Sequence, residues 1–165
     1  MSRFEHVRHK EPSRIPAREL IVVCAPLRSN VNLSRIVRTA ACCGVARLVA
    51  CGTPKIDAKI ARDGIDSIEI EIRRSIGPVL KQLREQGYRL VGLEQTTNSH
   101  NLHAYEFHRR TALVVGNERT GLTQDVLALL DDVVEIPVYG RPFSYNVATA
   151  ASMTLYEFCR QFPEG

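Results

Sequence analysis

Apolar residues recur along the 165-residue chain in two rhythms. Short unbroken apolar runs, the first at 20–24, predict strands buried on both faces. Between them, apolar positions three and four apart predict helices. Leu33, Ile36, Val37, Ala40 and Ala41 form one such stripe, with Asn30 or Asn32 as its N-cap and Gly44 as its stop. Residues 47–51 read as a second strand. Ile68, Ile70 and Ile72 alternate with acidic residues, which predicts a third strand with one solvated face. Ile76, Val79, Leu80 and Leu83 mark a helix ended by Gly87. A fourth strand at 88–93 runs into a polar loop over 95–103. A fifth strand is expected at 112–115, a helix at 124–130 and a sixth strand at 133–136. A loop rich in Gly and Pro spans 137–145. The last helix carries Val147, Ala150, Ala151, Thr154, Leu155 and Phe158 on one face. Strands alternating with helices imply an α/β fold: a mostly parallel sheet with helices on both faces. Ligands of such sheets bind beyond the carboxyl ends of the strands.

Composition narrows the class. At 44% hydrophobic and 24% charged residues, the chain can bury the core of one domain. Its net charge of +4 is compatible with a polyanionic partner without requiring one. Residues 1–18 form a basic arm with Arg3, Arg8, Lys10, Arg14 and Arg18, interrupted by Pro12 and Pro16; it reads as a solvated segment or as a tail that contacts phosphates. Residues 19–165 form the folded domain. No apolar run approaches the roughly 20 residues of a membrane span, and the N-terminal stretch lacks a signal-peptide pattern, so no membrane partner is expected. The five cysteines, Cys24, Cys42, Cys43, Cys51 and Cys159, show no CxxC pair and read as reduced, buried thiols of a cytoplasmic protein. His100 and His103 lie in a loop with no evident third ligand, so no metal is expected.

Four polar segments follow strands: 28–38, 93–96, 116–122 and 136–146. Neither the GxGxxG fingerprint nor the GxxxxGK[ST] loop is present, which argues against dinucleotide and nucleoside-triphosphate enzymes. Arg38 lies close to the apolar stripe of its helix. It reads as half of an ion pair, with Glu118 as the candidate partner, or as a guanidinium fork that grips a phosphate. Glu118 sits between two glycines, in a tight turn or beside a ligand. Ser144 and Asn146 precede the last helix, where such residues commonly cap.

Three segments together resemble the motifs of the SPOUT methyltransferases, specifically the TrmH (SpoU) family of RNA 2′-O-ribose methyltransferases. They are Asn32-Leu-Ser-Arg-Ile-Val-Arg38 with Gly44 beyond it; Leu113-Val-Val-Gly-Asn-Glu118-Arg-Thr-Gly-Leu122 leading to Pro137; and Ser144-Tyr-Asn146-Val-Ala-Thr-Ala-Ala-Ser-Met-Thr-Leu-Tyr156. Order and spacing both match, over about 20–161. The stretch from Gly92 to Thr96 is similar to that of eukaryotic tRNA guanosine-18 2′-O-methyltransferases. The resemblance implies a C-terminal deep trefoil knot, a homodimer, S-adenosylmethionine as cofactor and RNA, tRNA first, as substrate. It implies cofactor contacts at Leu93, Glu94, Gly116, Ile136, Ser144 and Asn146. The catalytic positions it implies are Arg38, Asn32, Glu118 and Asn146, and RNA contacts fall to Arg35, Arg38, Arg119 and Tyr145. Rival targets are the tRNA wobble ribose and an rRNA ribose; a non-catalytic knotted RNA-binding module is the competing reading. Ser34, Arg35 and Tyr145 depart from the family pattern. Arg35 adds an RNA contact or narrows the site, and Tyr145 stacks on a base or replaces a packed Leu.

Overall fold

A computed structural model describes residues 2–165. Seven strands form one sheet: β1 (Arg18–Cys24), β2 (Val45–Cys51), β3 (Glu69–Arg73), β4 (Arg89–Leu93), β5 (His100–Asn101), β6 (Thr111–Val115) and β7 (Asp132–Glu135). Their spatial order is β3-β2-β1-β6-β4-β7-β5, and every pairing is parallel. The helices are α1 (Asn30–Cys42), the one-turn α2 (Ala58–Ala61) and α3 (Gly64–Ser67), α4 (Ile76–Glu85), the one-turn α5 (Gln124–Leu127) and α6 (Val147–Gln161).

The apolar runs make strands because both of their faces are covered. In β1, Leu20, Val22 and Cys24 pack under α1 and α6, whereas Ile21 and Val23 join α4 and α5 on the opposite face. The same alternation splits Leu113 and Val115 of β6 from Ala112 and Val114. The sheet is thus the middle of three layers, as the sequence pattern predicts.

Several local expectations need correction. Helix α1 is capped by Ser29, whose extended backbone lets its hydroxyl accept the Asn32 N–H (3.2 Å), rather than by Asn30 or Asn32. The polar loop at 95–103 contains the short edge strand β5, which pairs with β7. The helix expected over 124–130 is a single turn. On β3 Glu69 is exposed as expected, but Ile72 is also exposed (60%), whereas Glu71 is half-buried with its carboxylate bonded by Arg47 and Arg73. Cys42 is exposed, while Cys24, Cys43 and Cys51 are buried.

Arg18 begins β1 and is buried. Its guanidinium donates to the carbonyls of Cys43 (2.7 Å) and Phe162 (2.5 Å), the residues that close α1 and α6. A cation at two helix C-termini satisfies acceptors left without intrahelical partners. It also fixes the two helices to each other at the end of the sheet away from the site. Residues 2–14 are exposed. Among the described residues, no helix is long and apolar enough to cross a membrane.

Candidate functional site

The order β1-β6-β4-β7 makes neighbours of four strands that end at Cys24, Val115, Leu93 and Glu135. Being parallel, they release their following loops on one edge, so segments more than a hundred residues apart in sequence meet there. Between the loops lies a cavity of about 410 Å³. All six positions named for cofactor contact, Leu93, Glu94, Gly116, Ile136, Ser144 and Asn146, line it. Glu118, Arg119 and Tyr145 line it too. So do Gln95, Glu135, Val138, Val147 and Ala150, which the motifs did not single out. Glu135 carried a usable signal: it is the last residue of a strand, on the ligand-binding edge.

Glycines shape the wall. A Cβ on Gly116 would lie 2.5 Å from the Gly121 carbonyl carbon and 2.7 Å from the Leu122 nitrogen, both backbone atoms. Gly121 has φ +61°, and the Glu94 carboxylate occupies the space its Cβ would need (2.1 Å). The turn is closed by the Asn117 N–H to the Gly121 carbonyl (3.1 Å) and the Gly121 N–H to the Asn117 carbonyl (2.9 Å). Glu94 secures it by accepting the Leu122 N–H (3.0 Å).

Three of the polar motif residues form one relay. Asn146 caps α6 by accepting the N–H groups of Ala148 (2.9 Å) and Thr149 (3.3 Å) through Oδ1. Its Nδ2 donates to Asn32 Oδ1 (3.2 Å), and Asn32 Nδ2 faces the Glu118 carboxylate (3.4 Å). The ends fix both amide orientations, since backbone N–H groups only donate and an ionised carboxylate only accepts. Glu118 also accepts the backbone N–H groups of Arg28 (2.8 Å) and Ser29 (3.2 Å). Partial burial pushes its carboxyl up. The N–H groups of Arg28 and Ser29, its own N–H and the Asn32 amide pull harder, so it titrates below the ordinary carboxylate range.

Arg38 is not at this relay, and the ion pair considered between Arg38 and Glu118 does not form among the described residues. The loop N–H groups already hold that carboxylate. Arg38 instead lines an adjacent depression of about 500 Å³ with Arg35, Thr39, Lys59, Ile60, Ala148, Thr149 and Ser152. The first turns of α6 separate the two: Val147 and Ala150 face the cavity, Ala148, Thr149 and Ser152 the depression. Ser34 is buried and accepts the Asp57 N–H (2.8 Å), so that departure from the motif is a structural tie. Tyr145, 43% exposed, leaves ring surface free at the cavity. His100 lies 3.7 Å from Asp132 and His103 bonds the Tyr139 hydroxyl (3.2 Å), so the two imidazoles have separate partners.

The model of the SpoU rRNA Methylase family matches residues 19–156. The chain belongs to this family. The SpoU chain is similar to the tRNA (guanosine(18)-2′-O)-methyltransferase of Escherichia coli K12, 32% identical over 146 residues; the match takes in 87% of this chain and 64% of that one, so the chain spans just under two thirds of its relative. Among solved structures it superposes on the TrmH/SpoU tRNA modifying enzyme of A. aeolicus with a TM-score of 0.83 and 30% identity, covering 89% of this chain and 77% of the other. It also matches the SpoU methyltransferase AviRb from Streptomyces viridochromogenes in complex with the cofactor AdoMet, with a TM-score of 0.77 and 27% identity over 93% and 64% of the two chains.

Proposed function

We propose that this SpoU-family chain transfers a methyl group from S-adenosylmethionine to a ribose 2′-hydroxyl of RNA, with guanosine-18 of tRNA the first target. The observation that carries the reading is the division of charge around α6. Among the described residues, Glu94, Glu118 and Glu135, with Arg119 the sole cation, line the cavity, and Arg35, Arg38 and Lys59 line the depression. S-adenosylmethionine carries a sulfonium and an ammonium, whereas RNA presents phosphates, so each substrate has a region of opposite charge.

The cavity fits the cofactor on three counts. Its volume lies in the range of small-molecule sites. Leu93, Ile136, Val138 and Val147 supply apolar wall for an adenine. Gly116 lets the 117–121 turn fold tightly against the end of β6, which fixes the backbone wall of the cavity. S-adenosylmethionine, when bound, supplies the methyl group as an electrophile.

The chain's own residues have two tasks: to place the ribose oxygen and to stabilise it as it loses its proton. A neutral hydroxyl is a poor nucleophile. A guanidinium is a cation with no basic lone pair to offer, so the role of Arg38 is electrostatic rather than that of a base. Its fork binds a phosphate beside the target ribose and stabilises the negative charge that develops on the oxygen. Glu118 has its acceptors committed to Arg28, Ser29 and Asn32 and titrates low, which makes it a positioning group; the proton leaves to phosphate or water. The Asn32–Asn146 relay transmits that position to the capped end of α6.

Arg38 does not line its own chain's cavity, so the homodimer implied by the resemblance is part of the reading: a second copy presents its Arg38 to the cavity of the first. The trefoil knot, the cytoplasmic location and the arm at 1–18 as a tail ahead of the domain belong to the same proposal. The test is incubation of the purified protein with labelled S-adenosylmethionine and, in parallel, bulk tRNA and rRNA, followed by nucleoside mass spectrometry. The expected product is 2′-O-methylguanosine. Label on rRNA alone would move the target, and cofactor binding without transfer to any RNA would favour the non-catalytic module.

A further inference from the structure

We infer that Lys59 is a phosphate-positioning residue which, with Arg35 and Arg38, completes a three-cation seat for the RNA backbone flanking the target nucleotide; this rests on the reading of the chain as an RNA methyltransferase. Among the described residues, the lining of the depression holds these three cations and no carboxylate. None of the three makes an ion pair with another described residue. Other exposed cations, such as Lys55, Arg74 and Lys81, are also unpaired among the described residues, so what distinguishes this place is three cations gathered in one lining without a carboxylate, whereas six arginines elsewhere have acidic partners. Arg47 and Arg73 share Glu71, Arg84 meets Asp131, Arg89 meets Asp132, Arg110 meets Glu19 and Arg160 meets Glu157. Like charges gathered without counter-charge repel one another, and a polyanion relieves that repulsion.

Lys59 reaches this place through specific ties. It lies on the one-turn helix α2, far from the motifs, and the loop before α2 is tied to α1 where the buried Ser34 hydroxyl accepts the Asp57 N–H (2.8 Å). Asp57 in turn caps α2 by accepting the Lys59 N–H (2.8 Å). Next along the chain, a Cβ on Gly64 would lie 3.2 Å from the Arg38 Cα, so the start of α3 is pressed against the turn of α1 that carries Arg38. These ties hold the backbone of α2 against α1 and so place Lys59 in the same lining as Arg35 and Arg38. Around the cations, the Thr39 and Ser152 hydroxyls (3.0 Å apart) add neutral groups suited to phosphate oxygens. Lysine acts on phosphate as a point charge, so its contribution is affinity and register rather than base identity.

The experiment compares wild type, Lys59→Ala, Lys59→Arg and Lys81→Ala; Lys81 is exposed on α4, on the opposite face of the sheet. Binding of an unmodified tRNA transcript is measured across a salt series, together with S-adenosylmethionine binding and the kcat and KM of methyl transfer. For Lys59→Ala the slope of log K against log salt is expected to fall by about 1, with a several-fold higher KM for RNA. Both kcat and cofactor affinity stay within about twofold of wild type. Lys59→Arg keeps the slope, and Lys81→Ala leaves it unchanged. A Lys59→Ala slope equal to wild type, or a loss matched by Lys81→Ala, overturns the assignment. A slope that depends on Lys59 in a protein that transfers no methyl upholds the seat and sinks the methyltransferase reading. A wild type that does not bind RNA sinks both.

Discussion

The cavity and the cationic depression flank the same turns of α6, yet they are built in opposite ways. The cavity is walled by strand ends, glycine turns and backbone, and two of its three carboxylates are tied down: Glu94 to Leu122, Glu118 to Arg28 and Ser29. The depression is walled by helix surfaces, and its cations are left without counter-charge. The first suits a small cationic molecule held in one pose. The second suits a long flexible anion that arrives and leaves. A rigid pocket for the donor beside an unpaired basic seat for the acceptor is what an in-line transfer between a small molecule and a polymer requires.

The comparison breaks most readily at Arg38. Arg38→Ala is expected to lower turnover about 10²-fold or more while S-adenosylmethionine affinity stays within about twofold, as read by single-turnover kinetics and calorimetry. Arg38→Lys keeps the charge but loses the planar fork, so it recovers only part of the rate. Equal loss of cofactor affinity would erase the boundary between the two regions. Gly116→Ala tests the other side. Its Cβ meets backbone, so cofactor affinity falls at least about tenfold and the fold loses about 1–3 kcal/mol by thermal melting, while RNA affinity is unchanged.

Glu118→Gln sharpens the role of the relay. Turnover is expected to fall about tenfold through misplacement of Asn32, with both ligands still bound. The carboxyl titrates lower in the folded chain than in the unfolded one, so its ionised form stabilises the fold. That contribution is complete above the unfolded value of about 4.3 and is lost as pH falls through the folded one. Thermal melts below pH 5 should therefore drop more steeply for wild type than for Glu118→Gln. The smallest effect is expected from Ser29→Ala, which removes the α1 cap and costs about 1 kcal/mol in denaturant titration, with saturated turnover nearly intact.

Much of the candidate site is legible in the sequence because a parallel sheet sends the ends of its strands to one edge. Runs such as 20–24 and 112–115 reveal the strands by being apolar on both faces, and Gly116, Glu118 and Asn146 follow strands or precede a helix. What was not legible depends on contacts distant in sequence. Ser29, Asn30 and Asn32 are all capping residue types, and only the backbone at Ser29 selects it. Helices α2 and α3 are single turns without periodicity, held by Ser34 and by the close approach at Gly64. Arg18 looks like the end of a basic arm until the closing residues of α1 and α6 supply its acceptors. The pairing of Arg38 with Glu118 looked plausible because nothing in the sequence shows that the N–H groups of Arg28 and Ser29 already hold that carboxylate.

The central claim is that the acceptor is a ribose oxygen, positioned between the cavity of one copy and the Arg38 seat of the other. The most direct measurement compares label transfer from S-adenosylmethionine to a tRNA transcript and to the same RNA carrying deoxyribose at the methylated nucleotide. The account predicts that the deoxy substrate still binds, within a few-fold of the parent, and receives no methyl group. Undiminished transfer to the deoxy substrate would put the methyl on a base and contradict it.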